Sequence, residues 1–255
     1  MATNQISSAP PASRPGIANA SGLLRFLNKY FYFSMSLLVA VAVVSGFGHT
    51  VDGHLIHARP ARPWLLWVHG AVFSGWVLFF ILQSALVRMH NVKLHRTMGW
   101  FGAGLGAVIP VLGISTALVM DRFEVATLHA PKDAYTFFAI QFLDISSFTA
   151  AFWLAVLWRR RPEMHRRLML IATLTLTGAA FVRIPHLALP PYLGPYWWVD
   201  ALILLGVGRD VIVNGKVNVV YRYALPLLVV WQASMVYLAS QHPAWWIKFT
   251  ETIMG

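Results

Sequence analysis

The chain contains no cysteine. That excludes disulfides, iron–sulfur clusters, thiolate-ligated haem and cysteine-based zinc sites. Charge is scarce as well, at 11% of residues, where a soluble domain carries about 25%. Acids are the rarest part of it, with 9 Asp and Glu against 20 Lys and Arg. Neither a GxxxxGK(S/T) phosphate loop nor a GxSxG nucleophile elbow occurs. No long polar region could hold a separate catalytic domain. Any chemistry falls to His, Asp, Arg and aromatic residues in or near apolar segments.

Those segments are what the chain has in excess. Hydrophobic residues make up 58% of it and the mean hydropathy is +0.61. A run of about 18 or more apolar residues spans a bilayer core of roughly 30 Å. Backbone inside lipid must bond to itself, so a spanning chain is a helix bundle or a closed barrel. Long continuous runs without period-two alternation select helices. The expectation is an all-α integral membrane protein, a bundle of about seven transmembrane helices. The spans read as Tyr30–Gly48, Pro63–Val87, Met98–Met120, Ala134–Trp158, Leu168–Ile184, Tyr196–Val213 and Val219–Ser240. The fifth and sixth are short and carry charges.

Residues 1–28 are rich in Pro, Ser and Ala and read as a flexible or partner-bound tail. Residues 29–240 form the seven-helix domain. Residues 241–255, with the aromatic "PAWWIKF", form a short interfacial segment. Fourteen of the Lys and Arg residues fall on the side that holds the N-terminus and six on the other. The positive-inside bias then places the N-terminus in the cytoplasm, and a bacterial inner membrane is the expected location. The net charge of +11 follows from that bias and from attraction to anionic lipid. It requires no nucleic acid.

Histidine is the main candidate for chemistry. His49, His54, His57, His69, His129, His186 and His242 fall toward the outside, and His90, His95 and His165 toward the inside. Bis-histidine haem, as in transmembrane b-type cytochromes, is one use for such residues. The spacing argues against its simplest form. His69 and His90 flank one span and His165 and His186 another, each 21 residues apart, which is roughly the full core thickness at 1.5 Å per residue. The inner histidines therefore read as interfacial residues meeting headgroups. At the outer end, His69, Arg183, His186 and Asp200 fall within a few turns of the surface and form the candidate cofactor site, for haem b or quinone. His69, Phe73, Trp76 and Phe80 share one helix face, either a pocket wall for a flat ligand or ordinary packing. Arg183 and Asp200 alternatively pair as a structural ion pair.

Asp144 is the deepest acid, flanked at three-residue spacing by Gln141 and Ser147. It reads as an intramembrane functional acid, a proton relay or ligand anchor, or as part of interhelical hydrogen bonding. Gly102 and Gly106 allow close approach of a neighbouring helix, and Pro110 kinks its span. "HNVKLH", His90–His95, matches half of a di-iron histidine box but lacks the second half. "VDGHLIH", Asp52–His57, offers copper or zinc ligands only with help from elsewhere. The metal, if any, stays unassigned.

Two stretches echo each other. "VKLHRTMGWFG" and "EMHRRLMLIAT" each place a His-Arg pair before an apolar run, and a weak internal duplication accounts for the echo. "MHRRLMLIATLTLTGAAFVRI", with His165, Arg166, Arg167, Met169 and Arg183, resembles a signature of uncharacterised bacterial multi-pass membrane proteins that carry a domain of unknown function. Val68–Trp100 is similar to a companion segment of such proteins. The resemblance covers spans two to five. It implies a multi-pass membrane fold and brings no activity with it.

Three functions stay open. The first is a non-catalytic membrane subunit of a larger assembly, with other membrane subunits and the lipid bilayer as partners. The second is a haem b- or quinone-binding redox protein. The third is a small transporter with Asp144 in its pathway.

Overall fold

The computed structural model describes residues 15–185 and 196–254, the side chains of 15–21 and 132–134 excepted. Among the described residues the chain is helical, with no strand. The long helices are α1 (Pro15–Gly48), α2 (Trp64–Arg88), α3 (Val92–Leu128), α4 (Phe138–Leu157), α7 (Tyr196–Asn214) and α8 (Val219–Gln241). Between α4 and α7 run α5 (Pro162–Thr175) and the one-turn α6 (Gly178–Phe181), and α9 (Ala244–Met254) closes the chain. A π-helical turn, Asp52–Ile56, precedes α2, and a 3-10 turn, Lys132–Phe137, leads into α4.

The boundaries follow local chemistry. Asn91 caps α3 by accepting a bond from the Leu94 amide at 3.2 Å, and Asn218 caps α8 through the Val220 amide at 3.0 Å. Helices α3 and α8 end at His129 and His242, both left-handed at φ 57° and 47°. Pro162 opens α5 at a position that needs no amide donor. The break between α5 and α6 falls in "TLTLTG". There the hydroxyls of Thr173, Thr175 and Thr177 donate back to the carbonyls of Met169, Ala172 and Leu174. Such bonding bends a helix, and Gly178 adds backbone freedom.

Among the described residues, five helices are long and apolar enough to cross a membrane: Gly22–Gly48, Trp64–Arg88, Val92–Leu128, Tyr135–Leu157 and Val219–Gln241. The expected fifth span is divided into α5 and α6. The expected sixth matches α7 but carries Asp200, Arg209 and Asp210. The expected third span is part of a longer helix, since α3 runs 37 residues. Helix α1 begins at Pro15, so residues 15–28, read as tail, are helical.

Only 6% of the most apolar stretch of α2 is buried. An apolar helix left outside the core has lipid as its solvent. The core is built instead around α4, whose Leu143, Phe148 and Phe152 are fully enclosed. Trp76 of α2 meets Phe148 and Phe152 edge-on at 5.2 and 5.7 Å. Gly102 and Gly106 do not bring two backbones together. A Cβ on Gly102 would run into the Phe79 ring, and one on Gly106 into Phe152, so each glycine receives an aromatic ring from a different helix. The close backbone approach is at Gly46 of α1, where a Cβ would strike the Ala180 carbonyl of α6.

The C-terminal aromatics are divided. Trp246 is buried and donates to the Thr136 carbonyl at 3.2 Å, while Trp245 stays exposed. Arg122 of α3 donates to the carbonyls of Met254 and Ile253, both at 2.8 Å. Of the aromatics in "PAWWIKF", Trp246 is thus used within the chain, while Trp245 and Phe249 stay exposed.

Candidate functional site

Among the described residues, polar groups collect at four places in the bundle. The most buried set joins α1, α5 and α7. Arg167 and Asp210 are 0% exposed and Arg209 is 2% exposed. Asp210 accepts from Arg167 Nε at 2.7 Å and Nη2 at 2.5 Å, from Arg209 Nη1 at 3.0 Å and from Asn214 Nδ2 at 3.2 Å. Arg167 also donates to Glu163, one turn earlier, at 2.7 Å. Arg209 reaches Asn28 of α1 at 3.2 Å. A buried carboxylate facing two guanidiniums satisfies the rule that buried charges come paired. Arg167 and Arg209, counted on sequence among the fourteen basic residues of the N-terminal side, are buried in the structure. They are core residues bound to an acid.

At the same end, the repeated His-Arg signature is resolved. His95 opens α3 and His165 opens α5, and their ring centroids lie 6.3 Å apart at 77°. Read from the sequence as interfacial residues, the two are half-buried and lie beside each other. His165 Nδ1 lies 2.9 Å from the Ala155 carbonyl. A carbonyl only accepts, so Nδ1 carries a proton, and in the neutral form of the ring the lone pair is on Nε2. His95 lies beside the backbone of Gln83, and its Nδ1 is buried with no partner among the described residues. The amide of Gln83 is buried and unpartnered in the same way. Gly99, one turn beyond His95, has open space where a side chain would be.

Asp144 of α4 accepts a hydrogen bond from the Tyr196 hydroxyl of α7 at 3.0 Å. It borders a narrow crevice with Ser147, Thr175 and Gln232, opposite Gly178 at the break in the fifth helix. The expected polar stripe diverges. Gln141 turns away to Asp121 of α3 at 3.0 Å, and the Ser147 hydroxyl is buried without a partner among the described residues. Asp121 is a second buried acid of the bundle, 6% exposed.

At the opposite end, His69 stacks on Phe73 with centroids 4.0 Å apart. Arg183 lies near enough for its charge to act on the His69 ring. Arg183 donates to the Ala179 carbonyl and sits 4.7 Å over the Phe47 ring. Asp200 is held elsewhere, accepting from Gln232 of α8 at 3.0 Å. Arg183 and Asp200 form no ion pair with each other. His186 lies outside the described residues. Of the four residues assigned to the cofactor site, the structure brings His69 and Arg183 together and directs Asp200 to another helix. In the loop before α2, His57 and Asp52 pair at 2.7 Å on the surface. Among the described residues no group of three His, Cys, Asp or Glu side chains is arranged to hold a metal ion.

Two signals in the sequence pointed to what was missed. His95 and His165 stand at matching offsets, each before an apolar run that follows a basic loop. Asp210 is an acid inside an apolar run, which demands a cation, and Arg167 stands one turn after Glu163. Neither signal says which helices are neighbours. No family model, no curated protein and no solved structure matches the chain.

Proposed function

We propose that this chain is a membrane redox protein that holds a b-type haem between His95 and His165. The observation that carries the reading is the separation of the two rings. Two imidazoles that would hold one metal ion, each at about 2.0 Å from nitrogen to metal, must lie close together. The rings here are 6.3 Å apart. The His165 tautomer leaves Nε2 free, and the bond to the Ala155 carbonyl is the kind that fixes a ligating imidazole. His95 stands with its ring beside the Gln83 backbone. Two imidazoles are too few for a zinc or copper site of the usual coordination, whereas a macrocycle supplies the remaining four nitrogens. Open space at Gly99 lets a flat ring approach α3. Arg96, exposed beside His95, is a cation for one of its carboxylates. With no cysteine in the chain, the haem is held by coordination alone.

When bound, such a group takes up and releases single electrons. The chain's own residues fix its ligands, shield one face with α2 and α4, and keep cations near its edge. A one-electron centre needs a donor and an acceptor, so the chain acts as an electron-carrying membrane subunit beside others. In this reading it crosses the membrane seven times, with α5 and α6 as one broken span and α7 as another. Its N-terminus is cytoplasmic, in a bacterial inner membrane.

The test is the absorption spectrum of the purified protein, oxidised and dithionite-reduced. A reduced b-type band is expected, lost in His95→Ala and in His165→Ala and kept in His69→Ala, with all variants eluting as the wild type does on gel filtration. A colourless protein, or a band that survives both inner substitutions, overturns the reading.

A further inference from the structure

The buried ion cluster is left with one positive charge too many. Arg167 and Arg209 are buried and share one buried acid, Asp210, while Arg166 and Glu163, 32% and 59% exposed, pair with each other at the edge among the described residues. Three hydrogen-bond donors there also lack acceptors among the described residues: Arg209 Nε, the Tyr32 hydroxyl and the Tyr221 hydroxyl. Arg209 is 2% exposed and Tyr221 1%, so water does not reach them freely. The groups belong to one locality. Tyr32 and Tyr221 are close enough to act electrostatically on each other and on Arg167, Arg209 and Asp210. The guanidiniums of Arg166 and Arg209 lie over the Tyr32 ring at 5.3 and 5.7 Å. Each unsatisfied buried donor is unfavourable, and so is an uncompensated buried charge. One ligand type removes both defects, a small acceptor with a single negative charge.

We infer that Tyr32, Arg209 and Tyr221 form a binding site for a small monovalent anion of halide size. The anion accepts from the two hydroxyls and from Arg209 Nε. It neutralises the surplus charge and ties α1, α7 and α8 together at the arginine-rich end. Small size follows from the burial of Arg167, Arg209, Asp210 and Tyr221, with the half-buried Tyr32 on the exposed side, which among the described residues favours a small ion over a phospholipid headgroup. The site does not use His95 or His165, so its presence is independent of haem.

The experiment is thermal unfolding of the full chain in a neutral detergent, titrated with sodium chloride against sodium gluconate at constant ionic strength. Bromide, whose anomalous scattering locates it in a crystal, serves as a second probe. A folded-state ligand raises the midpoint with the logarithm of its concentration once above its Kd. The expected result is such a rise in chloride and bromide and none in gluconate. The rise should be reduced at least tenfold in apparent affinity by Tyr221→Phe and by Tyr32→Phe. Each of these removes one hydroxyl and keeps the ring, so folding is retained where Arg209→Gln could fail to fold. Identical curves in chloride and gluconate, or a chloride response unchanged in both tyrosine variants, overturn the site. Bromide density anywhere but between these residues does the same, and water alone there leaves no anion to bind.

Discussion

Replacing Asp210 with asparagine keeps the shape of the side chain and removes its charge. In the native protein that carboxylate accepts four hydrogen bonds, from Arg167 twice, Arg209 and Asn214. In Asp210→Asn two fully buried guanidiniums remain, with Glu163 the nearest acid. Breaking a buried pair by removing one partner costs about 3–5 kcal/mol, because the orphaned charge stays in a low-dielectric site. At roughly 2–4 °C per kcal/mol for a chain of this size, the apparent melting temperature should fall by roughly 6–20 °C. The assay is thermal unfolding in detergent, followed by loss of the monodisperse peak on gel filtration. Glu163→Gln is the internal control. It also breaks a bridge to Arg167, but the Glu163 side chain is 59% exposed, and an exposed pair is worth at most about 1 kcal/mol. A ratio of three or more between the two losses is expected. Equal losses, or an Asp210→Asn protein as stable as wild type, would refute the claim that burial makes the Asp210 bridge the critical one.

Two further predictions follow from the same packing. Gly46→Ala drives a Cβ into the backbone of Ala180, which cannot rotate away, whereas Gly106→Ala meets the Phe152 ring. Overpacking costs typically 1–3 kcal/mol, so Gly46→Ala should fall near about 3 kcal/mol and Gly106→Ala near about 1 kcal/mol. A neutral Gly46→Ala in a denaturant titration defeats the packing argument. The second concerns pH. Partial burial pushes the Glu163 carboxyl up, but hydrogen bonds from Arg167 and Arg166 and the charges of both outweigh it and hold it below the usual range. A depressed carboxyl contributes stability above its unfolded value, about 4.3, and loses it as pH falls through the lower folded value. The stability gap between wild type and Glu163→Gln should therefore be small and constant near neutrality and shrink to nothing in acid. A gap that widens as pH drops has the wrong sign for this contact.

The sequence alone was sufficient for the class of protein and for most of the helices. Apolar runs of spanning length leave a chain little choice but helix in lipid, and α2, α7 and α8 begin and end within a few residues of where the runs do. Capping and breaking are equally local, so Asn91, Asn218 and the threonine run act where they stand. The sites are another matter. Periodicity says which residues share a face but not which helix that face meets. His95 and His165 are 70 positions apart and look like two interfacial histidines until α3 and α5, each packed on α4, bring their first turns together. Arg167 counts toward the positive-inside bias on composition, yet it is fully covered because Asp210, 43 residues later, comes back to meet it. Asp200 could as well have paired with Arg183, and only the packing of α7 on α8 gives it to Gln232. Helix formation is decided by groups four residues apart. Partner choice is decided by long-range packing, which is why the tertiary structure alone could separate an interfacial charge from a buried one and two lone imidazoles from a pair.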